Sequence, residues 1–262
     1  MPWQGSLYVL LLIGLAAQAG LLALFIARRR HLAPGTRLFI PLLLIGAAWA
    51  LTYIAQLTSV AFSAKIFWAK VHYPFGVLMS SAWLAFVVEY TGKRQWLSGR
   101  NLALLAIEPL ATAVLAWTNE AHGLVWSSVG LYPTIGLLAE LSMVRGPWFW
   151  VNTAYTYSLF LLGLFLLVKA WLRAPHLYRR QLIALMIGSG LVWSWRMLST
   201  FGLNPLPQLG QLPFALALCL CGLVIAWSLL RFRVFELLPV AREAVMDSID
   251  EGVILLDAEG RI

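Results

Sequence analysis

The chain has 262 residues, 61% of them hydrophobic and 11% charged, with 13 tryptophans and a mean hydropathy of +0.81. Soluble domains carry about 25% charged residues, so this composition excludes that class and points to a membrane protein, with room for about seven spanning helices at roughly 20 apolar residues each. The net charge of +8 does not indicate a nucleic-acid partner, because the cations sit between apolar runs, where they direct membrane topology.

The N-terminal stretch MPWQGSLYVLLLIG has no basic residues ahead of its apolar run, so it reads as a retained first helix and not as a cleaved leader. Apolar runs follow at about 6–27, 38–59, 66–90, 102–117, 148–172, 181–202 and 211–230. The segments between them separate by charge. Arg28-Arg29-Arg30-His31 with Arg37, Lys93-Arg94 with Arg100, Lys169 with Arg173, Arg179 and Arg180, and finally Arg231 and Arg233 fall on one side. The other side holds Lys65, Lys70 and Arg145. The positive-inside rule therefore predicts an all-α, seven-helix polytopic bundle with its N-terminus outside, its C-terminus in the cytoplasm, and lipids as its surroundings.

Within that frame, Glu89-Tyr90-Thr91-Gly92 closes the third helix at the inner face, and Glu89 is expected to pair with a nearby lysine or arginine. Glu108-Pro109 interrupts the fourth helix, where proline removes a backbone hydrogen bond; Glu108 is expected to be protonated or bonded to a neighbouring helix. The outer segment Thr118 to Trp148 holds two moderately apolar stretches flanking Gly130 to Gly136 and reads as a short β-hairpin over the outer face. Cys219 and Cys221 point about 200° apart on a helix, which disfavours a disulfide or a shared metal.

An ionisable group inside a spanning helix marks a candidate functional site. Arg196, in GLVWSWRMLSTFG, lies roughly 24 Å above the inner end near Arg180 at about 1.5 Å per residue. At similar depth stand Gln56, His72, Tyr73, Asn152 and Tyr155, ringed by Trp68, Trp148, Trp150, Trp193 and Trp195. One reading is a ligand cavity open to the outside, in which Arg196 meets an acceptor and the aromatic rings meet an apolar body. The other is an interfacial aromatic belt, with Arg196 bonded to headgroups or helix carbonyls and His72 a satisfied interface histidine.

Several chemistries are not encoded. The last apolar run has no lysine for a retinal Schiff base, and no phosphate-binding loop, His-Glu-x-x-His or Cys-x-x-Cys motif occurs, so no catalytic or metal-binding residue is assigned.

Beyond the seventh run, residues 233–250 read as a signalling helix or linker. Val234, Leu238, Ala241, Val245 and Ser248 alternate at steps of four and three, a pattern that fits a dimeric seam or an amphipathic linker, and Pro239 bends it. In MDSIDEGVILLDAEGRI, Gly252 to Asp257 reads as a strand and Arg261-Ile262 as the start of its partner, so 251–262 reads as the opening of a further domain after the 1–232 membrane domain.

FVVEYTGKRQWL, TNEAHGLVW, GPWFWVNTAYTYSLFLLGLFLL and YRRQLIALMIGSGLVWSWRMLSTFGLNPLP, in this order, resemble the N-terminal seven-helix sensor region of bacterial histidine kinases. FRVFELLPVAREAVMDSIDEGVILLDAEGRI resembles its junction with a PAS domain. The resemblance implies a homodimeric sensor in the bacterial inner membrane that detects an extracellular or membrane-borne small molecule. It implies signal transduction through the seventh helix, with Arg231, Arg233, Glu236 and Pro239 in the relay, to a cytoplasmic PAS domain and an ATP- and Mg-dependent histidine kinase. That kinase would enter a two-component phosphorelay with a response regulator. Rival readings are a transporter or permease, a lipid-binding anchor, and the sensor region of a diguanylate cyclase.

Overall fold

The computed structural model describes residues 2–28, 36–133, 139–174, 176–203 and 212–232. Arg233, Glu236, Pro239 and the 251–262 segment lie outside the described residues. The protein is mostly helical: α1 Pro2–Arg28, α2 Thr36–Thr58, α3 Phe62–Tyr90, α4 Gly99–Trp117, the short α5 Asn119–His122, α6 Pro147–Arg173, α7 His176–Thr200 and α8 Leu212–Phe232. A 3-10 turn, Arg94–Trp96, joins α3 to α4, and two strands, β1 Trp126–Pro133 and β2 Ala139–Arg145, pair antiparallel between α5 and α6.

Among the described residues, six of these helices, α1 to α4, α6 and α7, are long and apolar enough to cross a membrane. The described helix surfaces are apolar on the outside: Leu21 and Leu110 are each about two-thirds exposed. Lipid is as apolar as such side chains, so close packing and hydrogen bonds hold these helices together more than hydrophobic transfer does.

α3 is the central element, buried along half its apolar length and packed against α2, α4 and α6. α7 packs on α6, and α8 packs on both α7 and α1, which closes the bundle. Close approaches fit this packing. A Cβ on Gly163 of α6 would lie 2.9 Å from Trp83 Nε1 of α3, so glycine is what lets the indole lie against the helix. α4 runs through Pro109, and its N-cap Ser98 accepts the Asn101 amide. α3 ends at Tyr90, followed by Gly92 at φ 76°.

Among the described residues, Glu89 serves the start of a helix; the basic residues at 29–31, its expected partners, lie outside them. Glu89 Oε2 accepts the Leu38 amide at 3.3 Å, in the first turn of α2, where free N–H groups and the helix dipole favour a carboxylate.

At the strand-bearing end, Lys65, Lys70 and Arg145 each meet the C-terminus of a helix. Lys65 Nζ donates to Gln56 O and Leu57 O of α2 at 3.1 and 2.9 Å. Lys70 Nζ donates to Trp117 O at the end of α4 and pairs with Glu120 at 2.5 Å. Arg145, at the end of β2, donates to Thr200 O and to Ser199 O at the end of α7. Each cation thereby satisfies carbonyls that have no partner within their own helix and lies at the negative end of that helix's dipole.

The strands are anchored at their base. Asn119 Oδ1 accepts the amides of Val125 and Trp126, its Nδ2 donates to Trp126 O, and Trp148 N donates to Leu124 O. Gly146 fits against this turn with no room for a side chain, since a Cβ there would overlap the Leu124 carbonyl.

Candidate functional site

Two cavities lie along the bundle axis and share Trp49, Gly76, Arg196 and Phe214 as walls. The cavity nearer the strands, about 280 Å³, is lined by Tyr53 and Gln56 of α2, His72 and Tyr73 of α3, Trp126 of β1, Met143 and Arg145 of β2, Phe149 of α6, and Trp195, Ser199 and Thr200 of α7. The strands thus roof a space whose floor is the helix bundle. The deeper cavity, about 140 Å³, is almost wholly apolar, walled by α1, α2, α3, α6, α7 and α8.

Arg196 is half-buried on the wall common to both cavities, and its guanidinium lies 5.9 Å from the Phe214 ring centroid on α8. Among the described residues it makes neither a hydrogen bond nor an ion pair, whereas Arg145 across the same space is committed to the end of α7. Burial, then the like charge of Arg196, holds the Arg145 guanidinium below its ordinary pKa. No carboxylate lines either cavity among the described residues. Among the described residues, the guanidinium thus keeps its five N–H donors for an acceptor, in a space whose described charged side chains are cationic.

His72 is positioned by α2. Its Nδ1 lies 3.2 Å from Trp49 O and 3.4 Å from Thr52 Oγ1, and its ring packs 5.1 Å from both Trp49 and Tyr53. A proton on Nδ1 donates to the Trp49 carbonyl and leaves Nε2 as an acceptor. Tyr73 packs edge-on to Trp126 at 5.3 Å and so links α3 to the strand roof.

A model of the family described as the N-terminal 7TM region of histidine kinase matches residues 10–239. The chain belongs to this family. No curated protein matches it. With its six long apolar helices, this 7TM region is a multi-pass membrane protein.

The structure divides the residues that the sequence singled out in the 7TM region. Arg196, His72, Tyr73 and Gln56 line the outer cavity, and Trp193 lines the inner one, where it stacks on Phe160 at 4.6 Å. Asn152, Tyr155 and Trp148 line neither. Asn152 Nδ2 donates to Glu108 Oε1 at 3.1 Å, Trp148 Nε1 to Thr112 Oγ1 at 2.8 Å, and Tyr155 Oη to Leu105 O at 2.9 Å, so these three join α6 to α4. Glu108 is therefore bonded to a neighbouring helix. Trp68 packs edge-on to Phe67 at 5.4 Å and lies outside both linings. Arg231 lies in the last turn of α8.

Sequence reasoning missed Trp49 and Tyr53 of α2, the strand residues Trp126 and Met143, and the cavity-facing position of Arg145. Only Arg145 carried a signal, as a lone cation on the cation-poor side.

Proposed function

We propose that this 7TM region is the sensor of a two-component histidine kinase, spanning the inner membrane seven times with the β1–β2 pair outside and the C-terminus in the cytoplasm. A small molecule from the outside or from the bilayer occupies the cavity beneath the strands and bonds to Arg196. The observation that carries this reading is the Arg196 guanidinium, without a hydrogen bond or ion pair among the described residues, facing the ring of Phe214 on α8, the helix that leads toward the C-terminus.

The coupling follows from that contact. An acceptor on the ligand draws the guanidinium into the outer cavity and weakens its hold on Phe214, which shifts the packing of α8 against α7. A ligand biases the two packings only by its differential affinity for them. The shift continues through Arg231, Arg233, Glu236 and Pro239 into a PAS domain and a kinase, in a homodimer that passes a phosphoryl group to a response regulator.

In the full-length protein, replacing residues 1–232 by an unrelated dimeric membrane anchor should abolish stimulus-dependent autophosphorylation while leaving basal autophosphorylation. A retained response to the stimulus would reduce the region to an anchor. Arg196→Ala should flatten the dose-response curve with membrane insertion intact, and an unchanged curve would remove Arg196 from the site.

A further inference from the structure

We infer that the ligand is an amphipathic organic anion with one carboxylate-type head and one compact apolar body, held head-up at Arg196 with its body in the inner cavity. This rests on the sensor reading above and adds the ligand's chemical class. The argument begins with how the two cavities differ. The outer one offers Arg145, Arg196, His72 and Gln56, and the described walls hold no acid, so it suits negative charge. The inner one has walls of Leu15, Leu42, Leu43, Met79, Val192 and Leu218. Its polar side chains are mostly spoken for: Gln18 donates to Cys219 O at 3.2 Å and Ser189 to Leu185 O at 2.6 Å.

Two polar groups at its upper end are not. One is Arg196. The other is Thr156, a buried residue whose Oγ1 has no hydrogen-bond partner. The level of Thr156 follows from its neighbours on α6. The Tyr157 hydroxyl donates to Thr200 Oγ1 at 3.2 Å and Phe160 stacks on Trp193, so Thr156 sits opposite the 193–200 stretch of α7, which contains Arg196. A buried hydroxyl without a partner is uncommon because it forfeits a hydrogen bond, and a ligand head held by Arg196 would supply one.

Below that level the space descends beside α8 from Phe214 to Gly222, roughly 12 Å at about 1.5 Å per residue, and the remaining walls are mainly apolar; the Trp83 indole Nε1, buried without a hydrogen-bond partner, lies against Gly163 of α6. Its volume, about 140 Å³, matches the apolar cavities of about 150 Å³ that stay dry and admit a benzene ring. A single ring or short alkyl body fits. The paired acyl chains of a bilayer phospholipid do not.

The test uses the full chain in lipid nanodiscs, with protein-free nanodiscs subtracted, and three probes read by equilibrium binding and tryptophan fluorescence. The probes are 3-phenylpropionate, the neutral 3-phenylpropanol, and propionate, which lacks the ring. The phenyl acid should bind at least tenfold more tightly than either of the others. Arg196→Ala should erase its advantage over the alcohol, while Arg196→Lys retains part of it. Gly46→Leu should fill the inner cavity, since a Cβ at Gly46 meets nothing nearer than Met79 Cε at 4.0 Å; it should weaken the phenyl acid at least tenfold and leave propionate unchanged. Equal binding of acid and alcohol, equal binding of the phenyl acid and propionate, or insensitivity to both Arg196→Ala and Gly46→Leu would overturn the inference. Such a failure leaves the sensor reading standing, because that reading is decided by the anchor replacement.

Discussion

At the scale of single residues, the strand-bearing end depends on charges that the sequence marks only as exceptions to the positive side. Lys70 joins Trp117 O to the exposed Glu120 carboxylate, and that hydrogen bond holds the Glu120 carboxyl below its ordinary pKa. A depressed acid stabilises the fold above its unfolded pKa of about 4.3 and loses that contribution as pH falls through the lower folded value. Because Glu120 is 67% exposed, solvent screening limits the pair to about 1 kcal/mol or less. Glu120→Gln should lower the melting temperature slightly at neutral pH, and the difference from the native chain should vanish once the acid is protonated. A difference that persists in acid would mean that the ion pair is not its source. Arg196 was legible at this scale because a cation surrounded by tryptophans in an apolar run needs a reason. That Thr156 lacks a partner was not legible, since a hydroxyl in a helix is ordinarily satisfied by its own backbone.

At the scale of elements, helix ends and close approaches decide more than helix propensity does. Buried Lys65 serves two carbonyls at the end of α2. Lys65→Met should therefore cost about 1–3 kcal/mol through carbonyls left without that donor, measured by denaturation in mild detergent; Lys65→Arg should recover part of it. Gly146 leads into α6 against the turn formed by Gly123 and Leu124, and it fits there only because it lacks a side chain. Gly146→Ala should detach the strand pair from the bundle, which limited proteolysis would detect as new cleavage within residues 118–148. An unchanged digestion pattern would show that the turn yields without cost. The run-and-turn pattern of the sequence located these elements, and hydropathy located the helices to within a few residues. Three helices start four or five residues ahead of their apolar runs, α1 at Pro2, α3 at Phe62 and α7 at His176, because their first turns carry polar residues such as Gln4, Ser63, Lys65, Arg179 and Arg180 that hydropathy discounts.

At the scale of the whole molecule, charge asymmetry predicts orientation. Single cysteines introduced near Ser127 should react with a membrane-impermeant thiol reagent in intact cells, and cysteines near Arg94 should react only after permeabilisation; the reverse pattern would invert the proposed topology. The membrane class, the approximate helix runs and the cation-poor end were legible in the sequence alone, because hydropathy and a fixed rise per residue encode position along a helix. The sequence did not determine which way each side chain faces. Helices that are apolar all round carry no strong stripe to mark the inside, so residues at one depth, such as His72 and Asn152, were indistinguishable until packing was known. Tertiary structure alone turned Asn152, Tyr155 and Trp148 toward α4, brought β2 over α7 through Arg145, and set an apolar cavity beneath Arg196, since each depends on which neighbouring helix completes the contact.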